Sequence, residues 1–255
     1  MSKSMEAFRF KQFSVKQDGV AMRVNTDGVL LGAWASVPQA TQARILDIGS
    51  GSGVIALMLA QRCAPTQASP WQIDALEPHT ASAAAAAQNF AESPWHRHCQ
   101  LFPTSLQDYV QSKQASPPLY DLIVSNPPYF SNALRPPSAA RRLVRHTDSL
   151  PHPELLQGVT ALLKVSGRFA VVLPQTEQEA FCQTARGQGL FLCRETQLYT
   201  RWESKPKRVL MEFAKKEEPQ PSDSLYIYNA NGTYSDPYIQ LTKDFYLSFP
   251  GPSGD

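Results

Sequence analysis

Apolar residues come in short runs between residues 43 and 213, and the runs alternate between strand-like and helix-like spacing. ARILDI (43–48), WQIDAL (71–76), QLFP (100–103), YDLIVS (120–125) and RFAVVLP (168–174) read as buried strands. Between them, VIALMLAQRC (54–63), SLQDYVQS (105–112) and PELLQGVTALLK (153–164) read as helices. An alanine-rich stretch that Thr80 can cap, running to about Ala91, reads as another. Gly167 is expected to end the helix at 153–164 before the next strand. A helix at about 175–187 and strands near 190–198 and 207–213 complete the series. This alternation predicts an α/β fold with a mostly parallel seven-stranded sheet, an antiparallel hairpin at its edge and helices on both faces.

The pattern divides the chain into an N-terminal extension (1–43), a core (44–214) and a C-terminal tail (215–255). The tail opens with the linker-like KKEEPQPSDS. A strand, a turn at Asn231-Gly232 and a short aromatic-rich helix follow, and this segment is expected to lie back on the core. No window has the ~18 uninterrupted apolar residues of a membrane span, and residues 1–13 lack a signal-peptide core. A cytoplasmic protein without membrane contact is expected, with a monomer as the default. Cys63, Cys99, Cys182 and Cys193 form no CxxC pair, so no metal is expected.

Net charge is +2, but its distribution is uneven. Arg135, Arg141, Arg142 and Arg145 follow one another with no acid between, within a Pro- and Ser-rich loop at 127–152. Arg201, Lys205, Lys207 and Arg208 stand against one acid, Glu203. Such blocks suit either phosphate or plain solvent.

LDIGSGSG (46–53) ends a strand and opens a helix, with glycines at 49, 51 and 53. Glycine lets backbone pass close to a ligand. The spacing is GxGxG, not the GxGxxG of pyrophosphate-binding loops, and a nucleoside such as S-adenosylmethionine does not need the latter. Glu77, at the end of the next strand, is placed to accept both hydroxyls of a ribose, and Asp47 either holds the ligand's ammonium group or stabilises the turn.

The fourth strand ends in Asn126-Pro127-Pro128-Tyr129. Two prolines fix the backbone, so its carbonyls point in set directions. The Asn126 side chain and the Pro127 carbonyl can accept the two hydrogens of a planar amine, favouring its nucleophilic, tetrahedral state. Tyr129 offers a face on which a base can stack.

These motifs resemble the class I S-adenosylmethionine-dependent methyltransferases. NPPY narrows the resemblance to amine and amide N-methyltransferases. FKQF (10–13), NTDGVLLGAW (25–34), SNPPYF, PKRVLMEF (206–213) and YSDPYIQLTKDFYL (234–247) make the chain similar to the bacterial tRNA1(Val) (adenine(37)-N6)-methyltransferases over nearly its whole length. The resemblance implies S-adenosylmethionine as cofactor and a tRNA adenosine as substrate. It implies a cofactor site of Gly49, Gly51, Gly53 and Glu77, to which Asp47 and Asn126 are added here, and it puts Thr26, Asp27 and Gly28, by pattern alone a polar turn, near the methionyl end. It also implies a target-base site of Asn126, Pro127, Pro128 and Tyr129. RNA contacts are expected from Arg135, Arg141, Arg142, Arg145, Lys205, Lys207 and Arg208. Where the family usually has an acid after the third strand, this chain has Ser105, with Asp108 as a substitute one turn on.

Protein glutamine N5-methyltransferases share NPPY but carry a helical domain ahead of the glycine loop, and here the loop motif begins at residue 46. A DNA adenine methyltransferase needs a target-recognition region larger than these flanks and must flip its base from a duplex. A catalytically inactive RNA-binding module would not need an intact NPPY.

Overall fold

The computed structural model describes residues 6–39, 42–64, 70–112, 119–128 and 150–249. Two short strands, β1 (Phe8–Arg9) and β2 (Ser14–Val15), pair antiparallel ahead of helix α1 (Thr26–Trp34). Then come β3 (Ala43–Ile48), α2 (Val54–Cys63), β4 (Trp71–Leu76), α3 (Thr80–Glu92), β5 (Cys99–Phe102), α4 (Leu106–Ser112) and β6 (Tyr120–Ser125). After the NPPY segment follow α5 (His152–Leu162), β7 (Leu163–Pro174), α6 (Gln178–Gly187), β8 (Phe191–Arg201), β9 (Arg208–Ala214), β10 (Ser222–Tyr228) and α7 (Asp236–Thr242).

The large sheet has the order β10-β8-β9-β7-β6-β3-β4-β5. Only β9 runs against its neighbours, β7 and β8. The sheet therefore has eight strands, one more than the seven expected. The extra strand is the tail's β10, which pairs parallel to β8, so the antiparallel hairpin is not at the edge. This covers the backbone donors and acceptors that an edge hairpin would expose.

Alternating residues of each strand face two apolar clusters. Ile45, Leu122 and Val172 point to the side of α1 and α2; Leu46, Ile123 and Val171 point to the side of α5 and α6. The segments flanking the β3–β9 region share the first cluster: Phe10 and Phe13 before it, Tyr238 and Phe245 after it. They also meet each other, because Phe10 bridges Tyr246 and the Lys11 N–H donates to the Phe245 carbonyl at 2.8 Å.

Three local expectations change. Thr80 is the first residue of α3 and not its cap; the His79 ring nitrogen accepts from the Ser82 N–H instead. Helix α5 ends at Leu162, and Gly167 lies inside β7. There the β6–β7 register shifts, and a Cβ on Gly167 would lie 2.9 Å from the Tyr120 carbonyl, so the glycine serves a close strand approach. The segment at Thr26–Gly28, expected as a polar turn, is the first turn of α1, capped by Asn25 accepting from Gly28 N–H at 2.9 Å.

Candidate active site

Strands β3, β4 and β6 are parallel, so their carboxyl ends lie on one edge of the sheet. The chain leaves β3 at Ile48 and turns through the glycine loop into α2. Gly49 and Gly51 hold φ of 70° and 57°, values that side chains resist. The loop is tied to β4: the N–H groups of Gly49 and Ser50 both donate to the Leu76 carbonyl, at 2.9 and 3.0 Å. Glu77, the next residue, accepts from Gly51 N–H at 2.8 Å and from His79 N–H at 2.9 Å. Burial raises the Glu77 carboxyl above its ordinary range, and these two donors pull the other way.

Beside this loop lies a cavity of about 550 Å³. Gly49, Gly51 and Glu77 form one wall, Ser105 another, and Asn126, Pro127 and Pro128 a third. Asn126 is aimed by the sheet: Ser125 pairs with Ile48, and the Ser125 hydroxyl donates to the Ile48 carbonyl at 2.9 Å. Its amide nitrogen contacts the Met22 sulfur at 4.0 Å. Asp47 sits beneath the loop, fully buried, one oxygen accepting from Ala56 N–H at 3.2 Å and the other without a partner. Burial, with the Glu77 charge adding to it, pushes the Asp47 carboxyl up to about 7.

Gly53 plays another part than Gly49 and Gly51. It is not on the cavity wall; a Cβ there would lie 2.5 Å from the Phe90 ring, so its absence lets α2 begin against α3. Thr26 and Asp27 line a second cavity on the other side of Asn25, and Asp27 accepts from the Arg208 guanidinium at 2.9 Å. The residues of α1 that reach the first cavity are Asn25 and Gly28. Ser105 and Asp108 bond to each other: the Ser105 hydroxyl donates to the Asp108 carboxylate at 2.7 Å, and Ser105 accepts from Asp108 N–H at 3.1 Å. Ser105 lines the cavity, whereas Asp108 is exposed. Lys205 and Lys207 are exposed. Tyr129, Arg135, Arg141, Arg142 and Arg145 lie outside the described residues. Sequence reasoning missed Ala21, Met22 and Arg23, which also line the cavity, because nothing in their pattern marks them.

Among the described residues no group of three or more His, Cys, Asp or Glu side chains could hold a metal, and no helix is long and apolar enough to cross a membrane. The cysteines form no disulfide.

A glycine loop and an acid, Glu77, at the carboxyl edge of this sheet match the methyltransferase class of fold. The family model for the methyltransferase small domain matches residues 29–175. A protein from Bacteroides fragilis named tRNA1(Val) (adenine(37)-N6)-methyltransferase is 42% identical over 245 residues, 96% of this chain and 99% of the relative. Proteins of the same name from Trichodesmium erythraeum and Haemophilus influenzae are 43% and 39% identical, over 95% and 96% of this chain and 98% and 100% of their own. A crystal structure described as a predicted O-methyltransferase from Agrobacterium tumefaciens superposes with a TM-score of 0.66 at 14% identity, covering 86% of this chain and 96% of that one. A glycopeptide N-methyltransferase complexed with S-adenosylmethionine superposes with a TM-score of 0.50 at 14% identity, covering 75% and 99%. The chain belongs to the tRNA1(Val) (adenine(37)-N6)-methyltransferase family.

Proposed function

We propose that this protein transfers a methyl group from S-adenosylmethionine to the exocyclic N6 of an adenosine in tRNA, the base at position 37 of tRNA1(Val). The observation that carries the reading is the convergence of Asn126, Pro127 and Pro128 on the cavity walled by the glycine loop and Glu77. The names of the full-length relatives supply the particular substrate.

The cavity fits the cofactor. Its volume lies within the ~300–1,000 Å³ typical of small-molecule sites. No heavy atom would meet a Cβ on Gly49 within 4 Å, so the backbone is open to close approach. Asp47 stays fully buried beneath the loop and is not on the cavity wall, so its part is to hold the turn through the Ala56 N–H. Gly49 and Gly51 would cradle the cofactor, Glu77 would take its ribose hydroxyls and Ser105 its adenine edge. The cofactor, when bound, supplies a methyl group on an electrophilic sulfonium.

The remaining work falls to the end of β6. The Asn126 amide oxygen and the Pro127 carbonyl accept the two hydrogens of the target amine. They stabilise the positive charge that develops as nitrogen uses its lone pair, in a site where those acceptors are already oriented. Holding amine and methyl in line lowers the entropic part of the barrier. No strong base is needed, because the methylated amine is acidic and loses its proton to water. Tyr129, next in sequence, is the proposed stacking platform for the base.

The test is transfer of labelled methyl from S-adenosylmethionine into tRNA1(Val) transcript, followed by nucleoside analysis. N6-methyladenosine in wild-type transcript, and none when position 37 is guanosine, is the expected result. Label in protein glutamine instead, or equal label in both transcripts, would overturn the reading.

A further inference from the structure

A second cavity of about 580 Å³ opens beyond Asn25, which lines both cavities. The N-terminus of α1 is the partition, with Gly28 facing the first cavity and Thr26 and Asp27 the second. The far wall is aromatic. Tyr228 stacks on Tyr234 at 4.9 Å between ring centroids, Tyr234 stacks on Tyr238 at 5.1 Å, and Phe249 meets Tyr234 edge-on at 5.7 Å. Phenol hydroxyls gather there as well: Tyr238 donates to Tyr246, and Tyr228 and Tyr234 interact through theirs. Lys207 and Arg208 lie on the rim.

The sheet fixes how this cavity relates to the first. β6, β7, β8 and β10 all run the same way, so Tyr228 and Arg201, at the ends of β10 and β8, share an edge with Asn126. β8 stands three strands from β6 in the sheet order. At about 4.8 Å per strand that is roughly 14 Å, a span a short run of nucleotides can bridge.

We propose that this second cavity takes an unstacked base of the substrate RNA, a near neighbour of the methylated adenosine in the same single-stranded loop. The proposal rests on the RNA reading given above. Tyr234, stacked between Tyr228 and Tyr238, backs Tyr228 and leaves that ring's other face for a base, and a ring face stacks on any base with little sequence demand. The phenol hydroxyls can donate to or accept from a base edge. Exposed Lys205 and Lys207 supply the positive charge that an anionic strand requires, with Glu203 the one acid in that turn, while the charge of Arg208 is offset by Asp27. Asp27 holds the Arg208 guanidinium at the rim by accepting from its Nε. The arrangement seats two bases of one loop on either side of α1, so the partition sets which nucleotide reaches Asn126.

The test is equilibrium binding of an anticodon stem-loop RNA, compared with versions carrying an abasic residue at each loop position in turn. Wild-type protein is expected to lose about tenfold in affinity when one particular neighbour of the target is abasic, the scale of one stacked base. Tyr228→Ala and Tyr234→Ala are expected to weaken binding of intact RNA about tenfold while leaving S-adenosylmethionine affinity unchanged. Against that one abasic RNA they should lose little more, because the penalties are for the same contact. Tyr234→Phe, which keeps the ring, should retain most of the affinity. Wild-type binding that ignores every abasic position other than the target would overturn the proposal without any variant having to fold. Additive penalties in well-folded variants would overturn it too. Methyl transfer assayed in parallel judges the function separately: binding as expected without transfer would sink that reading and leave the base cavity standing.

Discussion

Asn126 follows the last residue of β6, and its amide touches the Met22 sulfur on one side and faces Gly28 on the other, where an added Cβ would come within 3.6 Å of the amide nitrogen. Those neighbours hold its orientation. Asn126→Ala is therefore expected to reduce single-turnover methyl transfer on the order of 10²–10³, the effect of losing one oriented charge-stabilising group, with cofactor binding by calorimetry retained. Equal loss of both would make the residue a structural one. Asp47 carries a different expectation. Its carboxyl sits at about 7 through burial, against about 4 in the unfolded chain. A carboxyl raised on folding favours the folded state while protonated, so that contribution is present below pH ~4 and is lost as pH climbs toward 7. Melting temperature read between about pH 4 and 7 measures that loss. D47N, whose amide does not ionise, should lack this fall in melting temperature.

Helix α2 depends on a glycine that the cavity does not use. Gly53 has φ of 81°, and its missing side chain makes room for Phe90 of α3. Gly53→Ala combines a left-handed backbone penalty of about 1–2 kcal/mol with overpacking of about 1–3 kcal/mol, so a loss of roughly 2–5 kcal/mol is expected. A urea titration should show it, whereas Gly49→Ala, with open space around it, should lose only the left-handed backbone part of about 1–2 kcal/mol and should also weaken cofactor binding. From sequence alone the three glycines look alike; only the packing of Phe90 separates them. The parallel strands were legible because burial on both faces makes them continuous apolar runs bounded by turns. Helix α1 was not, because Val29, Leu30, Leu31, Ala33 and Trp34 are buried all round and leave no polar face to set a period. The site was legible where backbone demands a residue type, at the glycine loop and NPPY. Met22 and Asn25 were missed because any residue of suitable size could line that wall. The tail strand was seen but not its seat, since pairing parallel to β8 depends on partners far away in sequence.

At the scale of the whole molecule, positive charge should decide how RNA is held. Replacing Arg141, Arg142 and Arg145 with alanine is expected to raise the KM for tRNA and flatten the dependence of log K on log salt by roughly 0.7 for each lost single-strand phosphate contact. Cofactor affinity and melting temperature should stay near wild type, and an unchanged salt slope would count against that loop as an RNA surface. The bridge from Phe10 to Tyr246 bears on a matter of timing. During synthesis residue 10 emerges long before residue 246. At about 5–20 residues per second the interval is roughly ten to fifty seconds. Throughout it Phe10, an apolar residue that ends up buried, lacks Tyr246 and stays available to chaperones, whereas Phe13 can pack on Trp95 much earlier. The second cavity, lined by Phe8 ahead of β3 and by Phe249 of the tail, is thus completed only after residue 249 has left the ribosome.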